Sequence, residues 1–443
     1  MTEQIIIKGY WWLPSSPNDT VAGILTYTPG QCIELELIGQ LKPCLSALEE
    51  YIGRTDENVI FGVSSDAKEI SLINCYTSGG SFNFNCPFPI QRYNCQHLVI
   101  GSHVACLDTD CFFEAQINIP YLSLWATPNS ISKSISFNKK QIQKINISFN
   151  AGENNIAAFD FESYKFSIDG AVNYRGDYFE PHISQKTYLT ITSEEDCSLS
   201  DILNKIFLFE QFISFATLKH VESYKIVLFD KSKFQQLDNG KKFYFPIEYI
   251  RVFHGREDLA TEQDPHKRGD FLFTYDTIKS EFKQILTKWY SEQRDIAPIR
   301  HHLIECVRKK KTFSSVDFLI VIQGIEGFWW RFRDEDYKRG NQINHKKQTR
   351  LKTILATLIQ EFEDIKALKL CDINIDDVVD SRNYYSHFVK KESKPHVKDG
   401  IELYELTDQI RKLLICCILN FIGFSNEQIA HIVKESHSSY LHD

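Results

Sequence analysis

Ser381-Arg-Asn-Tyr-Tyr-Ser-His387 lies inside a run of segments that read almost entirely as helix. Helices are predicted near 299–311, 315–335, 346–368, 376–391, 403–422 and 426–437. Each carries a single apolar stripe that water would expose on an isolated helix. The six are therefore expected to pack as one bundle of about 145 residues. Ser425-Asn-Glu-Gln428 is a capping box that starts the last helix. Gly423, just before it, suits the end of the preceding one.

Upstream the period changes. Residues 1 to about 190 read as mainly β, with Ile33-Glu-Leu-Glu-Leu-Ile-Gly39 and Lys144-Ile-Asn-Ile-Ser-Phe149 at strand-like lengths. Thr77-Ser-Gly-Gly-Ser81 and Ala126-Thr-Pro-Asn-Ser130 read as punctuation between strands. From Asp201, the residues Ile202, Ile206, Phe207, Phe209, Phe212, Ile213 and Phe215 recur at helical spacing, which predicts a helix over 201–218. Tyr224-Lys-Ile-Val-Leu-Phe-Asp230 and Lys242-Phe-Tyr-Phe-Pro246 return to strands, and a helix over 277–293 carries Phe282, Ile285, Leu286 and Trp289. Asp295-Ile-Ala-Pro298 then reads as a linker, because the residue before a proline is biased away from helix. The expected fold class is α+β and multidomain. A β-rich N-terminal domain, residues 1–295, is mixed α/β from 191 onward, and an all-α helical bundle follows over 299–443.

With 443 residues the chain is too long for one ordinary core. Its 43% hydrophobic and 24% charged residues are ordinary for a soluble protein. A net charge of −8 excludes a whole-chain basic footprint for nucleic acid. Locally the balance reverses: from Arg300 to Lys352 there are 13 Lys/Arg against 6 Asp/Glu, a net of +7. Arg308, Lys309, Lys310 and Lys311 form one cluster, and Lys346, Lys347 and Arg350 another. Both are candidate contacts to an RNA backbone, and a solvated helix face is the plain alternative.

No secretory leader is evident, and no stretch approaches the ~20 apolar residues of a membrane span. Twelve cysteines without paired spacing are expected to be reduced thiols of a cytoplasmic protein. Cys95, His97, His103, Cys106 and Cys111 are the densest Cys/His group. They lack a C-x2-C pair and have apolar neighbours, so buried thiols are expected rather than zinc. No cofactor and no metal are expected. His301 and Glu305 sit four apart, as a surface ion pair would. His254-Gly-Arg-Glu-Asp258 and Asp264-Pro-His-Lys-Arg268 make a charged loop. No H-E-x-x-H, phosphate-cradling glycine loop, dinucleotide fingerprint or G-x-S-x-G elbow occurs. Kinase, ATPase, dehydrogenase and α/β-hydrolase readings lose support.

The opening heptapeptide supplies a different chemistry. Arg382, the polar Asn383 and then His387 five residues beyond the arginine form an R-N-x-x-x-H pattern. Histidine titrates near neutrality and can take or give a proton. Arginine stays charged, and its planar fork matches a phosphate. Together they could activate a ribose 2′-OH and stabilise charge building on phosphorus, leaving a 2′,3′-cyclic phosphate and a 5′-OH. Five residues turn a helix by ~140° beyond one full turn, so the two side chains are expected to flank one edge without stacking. A cleft fed by two copies would suit this, which argues for a homodimer with a shared two-fold site. The plain alternative pairs Arg382 with Asp377 or Asp380 on the bundle surface.

These residues resemble the HEPN domain of ApeA-like proteins. The segment Phe318-Leu-Ile-Val-Ile-Gln-Gly-Ile-Glu-Gly-Phe-Trp-Trp-Arg331 is similar to that family's apolar helix with an internal glutamate, here Glu326. The heptapeptide is similar to its RNxxxH box. Gly9-Tyr-Trp-Trp-Leu-Pro14, Ala22-Gly-Ile-Leu-Thr26, Leu37-Ile-Gly39, His97-Leu-Val-Ile-Gly-Ser-His103 and Leu122-Ser-Leu-Trp125 resemble the ApeA N-terminal domain. The resemblance implies an endoribonuclease of bacterial anti-phage defence by abortive infection. It assigns catalysis to Arg382 and His387, orientation to Asn383 and support to Glu326. The N-terminal domain would silence the nuclease until a phage-encoded protein trigger appears, and transfer RNA is the substrate that the wider HEPN class suggests. The rival reading is a HEPN-type module that binds RNA or protein, or dimerises, without cutting.

Overall fold

The computed structural model describes residues 4–41, 57–81, 89–127, 131–138, 141–150, 155–177, 180, 182–252, 268–291, 293–308, 314–334, 350–438 and 441. Its strands are β1 (Ile5–Trp12), β2 (Val21–Thr28), β3 (Cys32–Ile38), β4 (Glu57–Ser64), β5 (Glu69–Ser81), β6 (Ile90–Ile100), β7 (Asp110–Asn118), β8 (Ile131–Asn138), β9 (Gln141–Phe149), β10 (Asn155–Phe161), β11 (Tyr164–Arg175), β12 (His182–Ser198), β13 (Lys225–Asp230), β14 (Phe234–Gln236), β15 (Lys242–Tyr244) and β16 (Ile247–Arg251). The helices are α1 (Leu122–Ala126), α2 (Leu199–Thr217), α3 (Tyr275–Ile278), α4 (Phe282–Ser291), α5 (Gln293–Arg308), α6 (Ser315–Phe332), α7 (Leu351–Glu361), α8 (Ile375–His387), α9 (Gly400–Phe421) and α10 (Asn426–Glu435).

The β-rich region contains a closed barrel. The order β6-β3-β2-β1-β4-β5 returns to β6 through the β5–β6 ladder. Strands alternate buried and half-buried positions, as in β3, so one face of each fills the interior. Trp11, Leu25, Leu35, Leu37, Ile60, Leu72 and Tyr93 pack there. Trp11 lies opposite Gly62, and a Cβ on that glycine would stand 2.3 Å from the indole. Only glycine admits the ring at that wall position. The expected break at Thr77–Ser81 is instead the end of β5, where the register shifts at Ser78 and the double glycine that follows pairs with Arg92 and Gln91 of β6. Glycines, which otherwise weaken a strand, often mark such a shift.

One edge of β6 is shared. Its first half pairs with β3, from Ile90 to Cys95, and its second half pairs with β16, from His97 to Ile100. The barrel therefore continues into an open sheet, β16-β13-β7-β12-β11-β10. Helix α2 covers that sheet, with Ser198 capping its start by accepting from Asp201 N at 3.1 Å. β8 and β9 form a separate ribbon with Ile135 opposite Ile145, both exposed.

Two helix expectations change. The segment 277–293 divides into α3 and α4, and the described part of the segment 346–368, from residue 350, is α-helical over α7 and then gives way to two short 3-10 turns at Lys366–Leu368 and Leu370–Asp372. The 295–298 linker is also replaced, because α5 runs through Pro298. The missing N–H costs one backbone bond near the helix start, while Ile296, Ile299 and Leu303 seat the helix in the core. That core is continuous from the open sheet into the bundle. Trp289 of α4 stacks on Phe215 of α2 at 5.9 Å and donates to the Leu208 carbonyl at 2.9 Å. Phe273 meets Phe424 at 5.6 Å, and His437 N donates to Gly269 O. The C-terminal capping box is present, with Gln428 N donating to Ser425 Oγ at 3.2 Å and Ser425 N to Gln428 Oε1 at 2.8 Å. Among the described residues no helix is long and apolar enough to cross a membrane.

Candidate active site

Two helices build the site. α6 begins at a capping box, in which Asp317 N donates to Ser314 Oγ at 3.2 Å and Ser314 Oγ donates to Asp317 Oδ2 at 2.7 Å. Its apolar side, Phe318, Val321, Ile322, Ile325 and Phe328, is buried, which turns Glu326 toward the rim. Gly324 lets α9 approach, since a Cβ there would lie 2.9 Å from Leu414. α8 starts at Asn374, whose side chain accepts from Asp376 N at 3.0 Å. Asp376 and Asp377 in its first turn suit the positive end of the helix dipole. Only Val378 and Ser381 of α8 are fully buried, so the helix is a rim element with one face in solvent.

Arg382 joins the two helices. Its Nη2 donates to Glu326 Oε1 at 3.1 Å and Oε2 at 3.4 Å. Its Nη1 donates to Asn383 Oδ1 at 3.3 Å and lies 2.9 Å from His387 Nε2. A guanidinium has only donors, so this contact assigns the Nε2 lone pair to Arg382 and the ring proton to Nδ1. Although Arg382 and His387 are offset around the helix, their side chains meet at its edge. The arginine side chain is long enough to run along the helix to its last residue. Side-chain exposures of 26% for Arg382 and 22% for Glu326 leave the pair half-screened yet open to a ligand. The alternative partners are engaged elsewhere: Asp380 accepts from Lys394 at 3.2 Å, and Asp377 stands 3.5 Å from His396 and 3.5 Å from Lys398.

The segment after α8 folds back along it. Lys398 N donates to the buried Ser381 Oγ at 2.9 Å, and Tyr385 OH donates to the Lys398 carbonyl at 3.0 Å. Burial pushes the Tyr385 phenol up, which keeps it a donor. The sequence reading missed Phe388. This residue ends α8 in the left-handed conformation, φ 52°, and is 90% exposed directly beside His387. A large apolar side chain so placed next to a catalytic pattern was the available signal.

The basic clusters are only partly visible. Lys309, Lys310, Lys311, Lys346 and Lys347 lie outside the described residues, as does the side chain of Arg308. Arg350 is exposed at the start of α7. The Lys352–Asp376 bridge of 2.7 Å sets that end beside the start of α8, about 16 Å along the helix from His387. The charged segment around Arg256 and His266 also falls mostly outside the described residues.

The Cys/His group is dispersed. Cys95 faces Cys75 inside the barrel, His97 pairs with the Tyr249 hydroxyl at 2.7 Å, and His103 Nε2 lies 2.9 Å from the Gly62 carbonyl. Cys106 lies beside Thr109, and Cys111 is a half-buried free thiol. Among the described residues no three His, Cys, Asp or Glu side chains are grouped to hold a metal ion.

Comparison with protein families matches residues 6–289 to ApeA N-terminal domain 1 and residues 319–428 to Apea-like HEPN. The second match contains Glu326, Arg382, Asn383 and His387. No curated protein and no solved structure matches the chain.

Proposed function

The chain belongs to the ApeA family, with an Apea-like HEPN domain behind ApeA N-terminal domain 1, and from this we propose that it is a metal-independent endoribonuclease of bacterial anti-phage defence. The observation that carries the reading is the chain of contacts Glu326–Arg382–His387, open to solvent at the histidine. Glu326 holds one nitrogen of the fork and leaves the other to the imidazole. A scissile phosphate is a stronger acceptor for that second nitrogen than a neutral ring. Once phosphate takes Arg382, His387 Nε2 is released to accept the ribose 2′-OH proton. The 2′-oxygen then attacks phosphorus, the 5′-oxygen leaves with a proton, and a 2′,3′-cyclic phosphate remains. Arg382 offsets the charge that builds on the phosphoryl oxygens. Asn383, which accepts from Arg382, restricts its swing.

In this reading the N-terminal domain responds to a phage-encoded protein trigger, and RNA cleavage stops growth of the infected cell by abortive infection. Transfer RNA is the proposed substrate, because its exposed loops present unpaired nucleotides. A homodimer through the helical domain would set two Arg382–His387 pairs beside one cleft.

The experiment is cleavage of total RNA in EDTA by the full chain and by His387→Ala, with and without lysate of phage-infected cells, with analysis of the end groups. Cyclic-phosphate ends from the wild type alone are expected. Cleavage that needs added Mg²⁺ would sink the mechanism. Cleavage that persists in His387→Ala would remove the histidine from it. Absence of cleavage in every condition, with a trigger present, would favour a non-catalytic binding or dimerising module.

A further inference from the structure

A cavity of about 540 Å³ lies where the barrel-and-sheet region meets the first helix of the bundle. Its floor is α2, one wall is the β6–β16 seam, and the opposite wall is α5. We propose that it binds a small, uncharged molecule with a flat, N–H-donating ring, of the size and chemistry of a purine nucleoside.

The size falls within the range of pockets that enclose small ligands, roughly 300–1,000 Å³. The acceptor pattern sets the polarity. Gln211 is 6% exposed, lines the cavity, and its Oε1 finds no hydrogen-bond partner among the described residues. A buried amide oxygen without a donor is costly, and a ligand N–H would satisfy it. The charge balance sets the sign. Glu210, Glu222 and Glu305 line the space with the guanidinium of Arg251, and Glu222 Oε1 lies 3.2 Å from His220 Nε2. That guanidinium is already held by Glu210, 2% exposed, at 2.9 and 3.0 Å. His97 adds no charge at neutral pH, because burial and then Arg251 hold its imidazole down to about 4. A phosphate would be repelled by these carboxylates while the Arg251 guanidinium is engaged by Glu210, whereas an uncharged base carries no charge for them to repel. The walls are also suited to a flat ring: Phe207 meets His301 edge-on at 6.0 Å, and Leu203 and Ile304 supply apolar surface.

The position gives occupancy a route to the active site. α5 lines the cavity with His301, Ile304 and Glu305 and packs along α6, which carries Glu326. A ligand that shifts α5 would therefore act on the residue that holds Arg382. This regulatory consequence rests on the nuclease reading, but the binding site does not.

The test is calorimetric titration of the full chain with adenosine, guanosine and adenosine monophosphate. Saturable binding of a nucleoside is expected, with the monophosphate weaker. Gln211→Leu should weaken binding by about tenfold or more, and Leu203→Trp, which fills the cavity, should abolish it. Thermal melts check that both variants fold, and the two substitutions stand about two turns apart on α2, so misfolding of one leaves the other decisive. No saturable nucleoside binding at millimolar concentration overturns the proposal, as does binding that Leu203→Trp leaves unchanged. A monophosphate that binds more tightly than adenosine overturns the ligand class. Binding is read without RNA, so failure of the nuclease reading is distinguishable. If both hold, the nucleoside should alter the RNA cleavage rate of the wild type and leave that of Leu203→Trp unaltered.

Discussion

Arg382 Nη1 lies 2.9 Å from His387 Nε2, although the two residues are five positions apart on one helix. The histidine therefore rests with its reactive nitrogen covered by the cation that would bind substrate. Removing either residue should act on chemistry more than on folding, since His387 is exposed and Arg382 half-exposed. For His387→Ala, RNA cleavage should fall by at least about 100-fold. Its unfolding free energy should stay within about 0.5 kcal/mol of wild type. A destabilised but active variant would refute the assignment.

Glu326 acts through Arg382 and is a positioning residue. Glu326→Gln keeps the shape and removes the charge that holds Nη2. We expect cleavage to drop by about tenfold, the cost of one charge-assisted hydrogen bond, with little change in RNA affinity. In a double-mutant cycle with Arg382→Ala the two losses should be strongly non-additive. Additive losses would show that Glu326 works independently of the arginine.

Phe388 offers its ring to solvent beside the histidine. Stacking of an unpaired base on it would contribute about 1–3 kcal/mol of binding. Phe388→Ala should raise the RNA Kd accordingly in filter-binding measurements made in the His387→Ala background, where RNA stays intact. Unchanged affinity would leave Phe388 without a role in RNA binding.

Trp289 packs α4 on α2 and, through Arg300 of α5, reaches across the join between the two halves. It stacks on Phe215, donates to Leu208 O and has the Arg300 guanidinium 4.6 Å above its ring. Trp289→Ala should cost about 3–5 kcal/mol. Because one core crosses the join, calorimetry should show both halves losing stability together. Melting of the barrel unchanged beside an early transition of the bundle would contradict that continuity.

His97 gives the fold a pH dependence. Its imidazole is held down to about 4 from an ordinary 6.5, first by burial and second by Arg251. The unfolded chain then binds more protons between those values, so the contribution is complete above about 6.5 and declines as pH falls toward 4. At about pH 5 the loss from this residue alone is about 2 kcal/mol. His97→Gln, which can still meet the Tyr249 hydroxyl, should lose correspondingly less stability between about pH 7.5 and pH 5 in denaturant melts. Equal losses in both proteins would rule His97 out as the source.

Much of the architecture was legible from local pattern. The spacing of Ile202, Ile206, Phe209 and Phe212 forecast α2, and Ser425 with Gln428 forecast the start of α10. Helical period and capping are written within a few neighbouring residues, so they can be read without a fold. The break expected at Asp295–Pro298 failed for the complementary reason. Proline bias is a local cost, and burial of Ile296 and Ile299 against the rest of the chain outweighs it.

The residue types of the site, an arginine, an asparagine and a histidine on one short helix, were determined by the sequence itself, as were the bundle and the strand-rich front. Which carboxylate holds Arg382 was decided only by tertiary structure. Asp377 and Asp380 are nearer along the chain, but Lys398 and Lys394 occupy them, and Glu326 arrives from 56 residues away because α6 packs beside α8. The same holds for barrel closure through β5 and β6 and for the cavity beneath α5. A local pattern states which faces must be buried, and only the packed chain determines what lies against them.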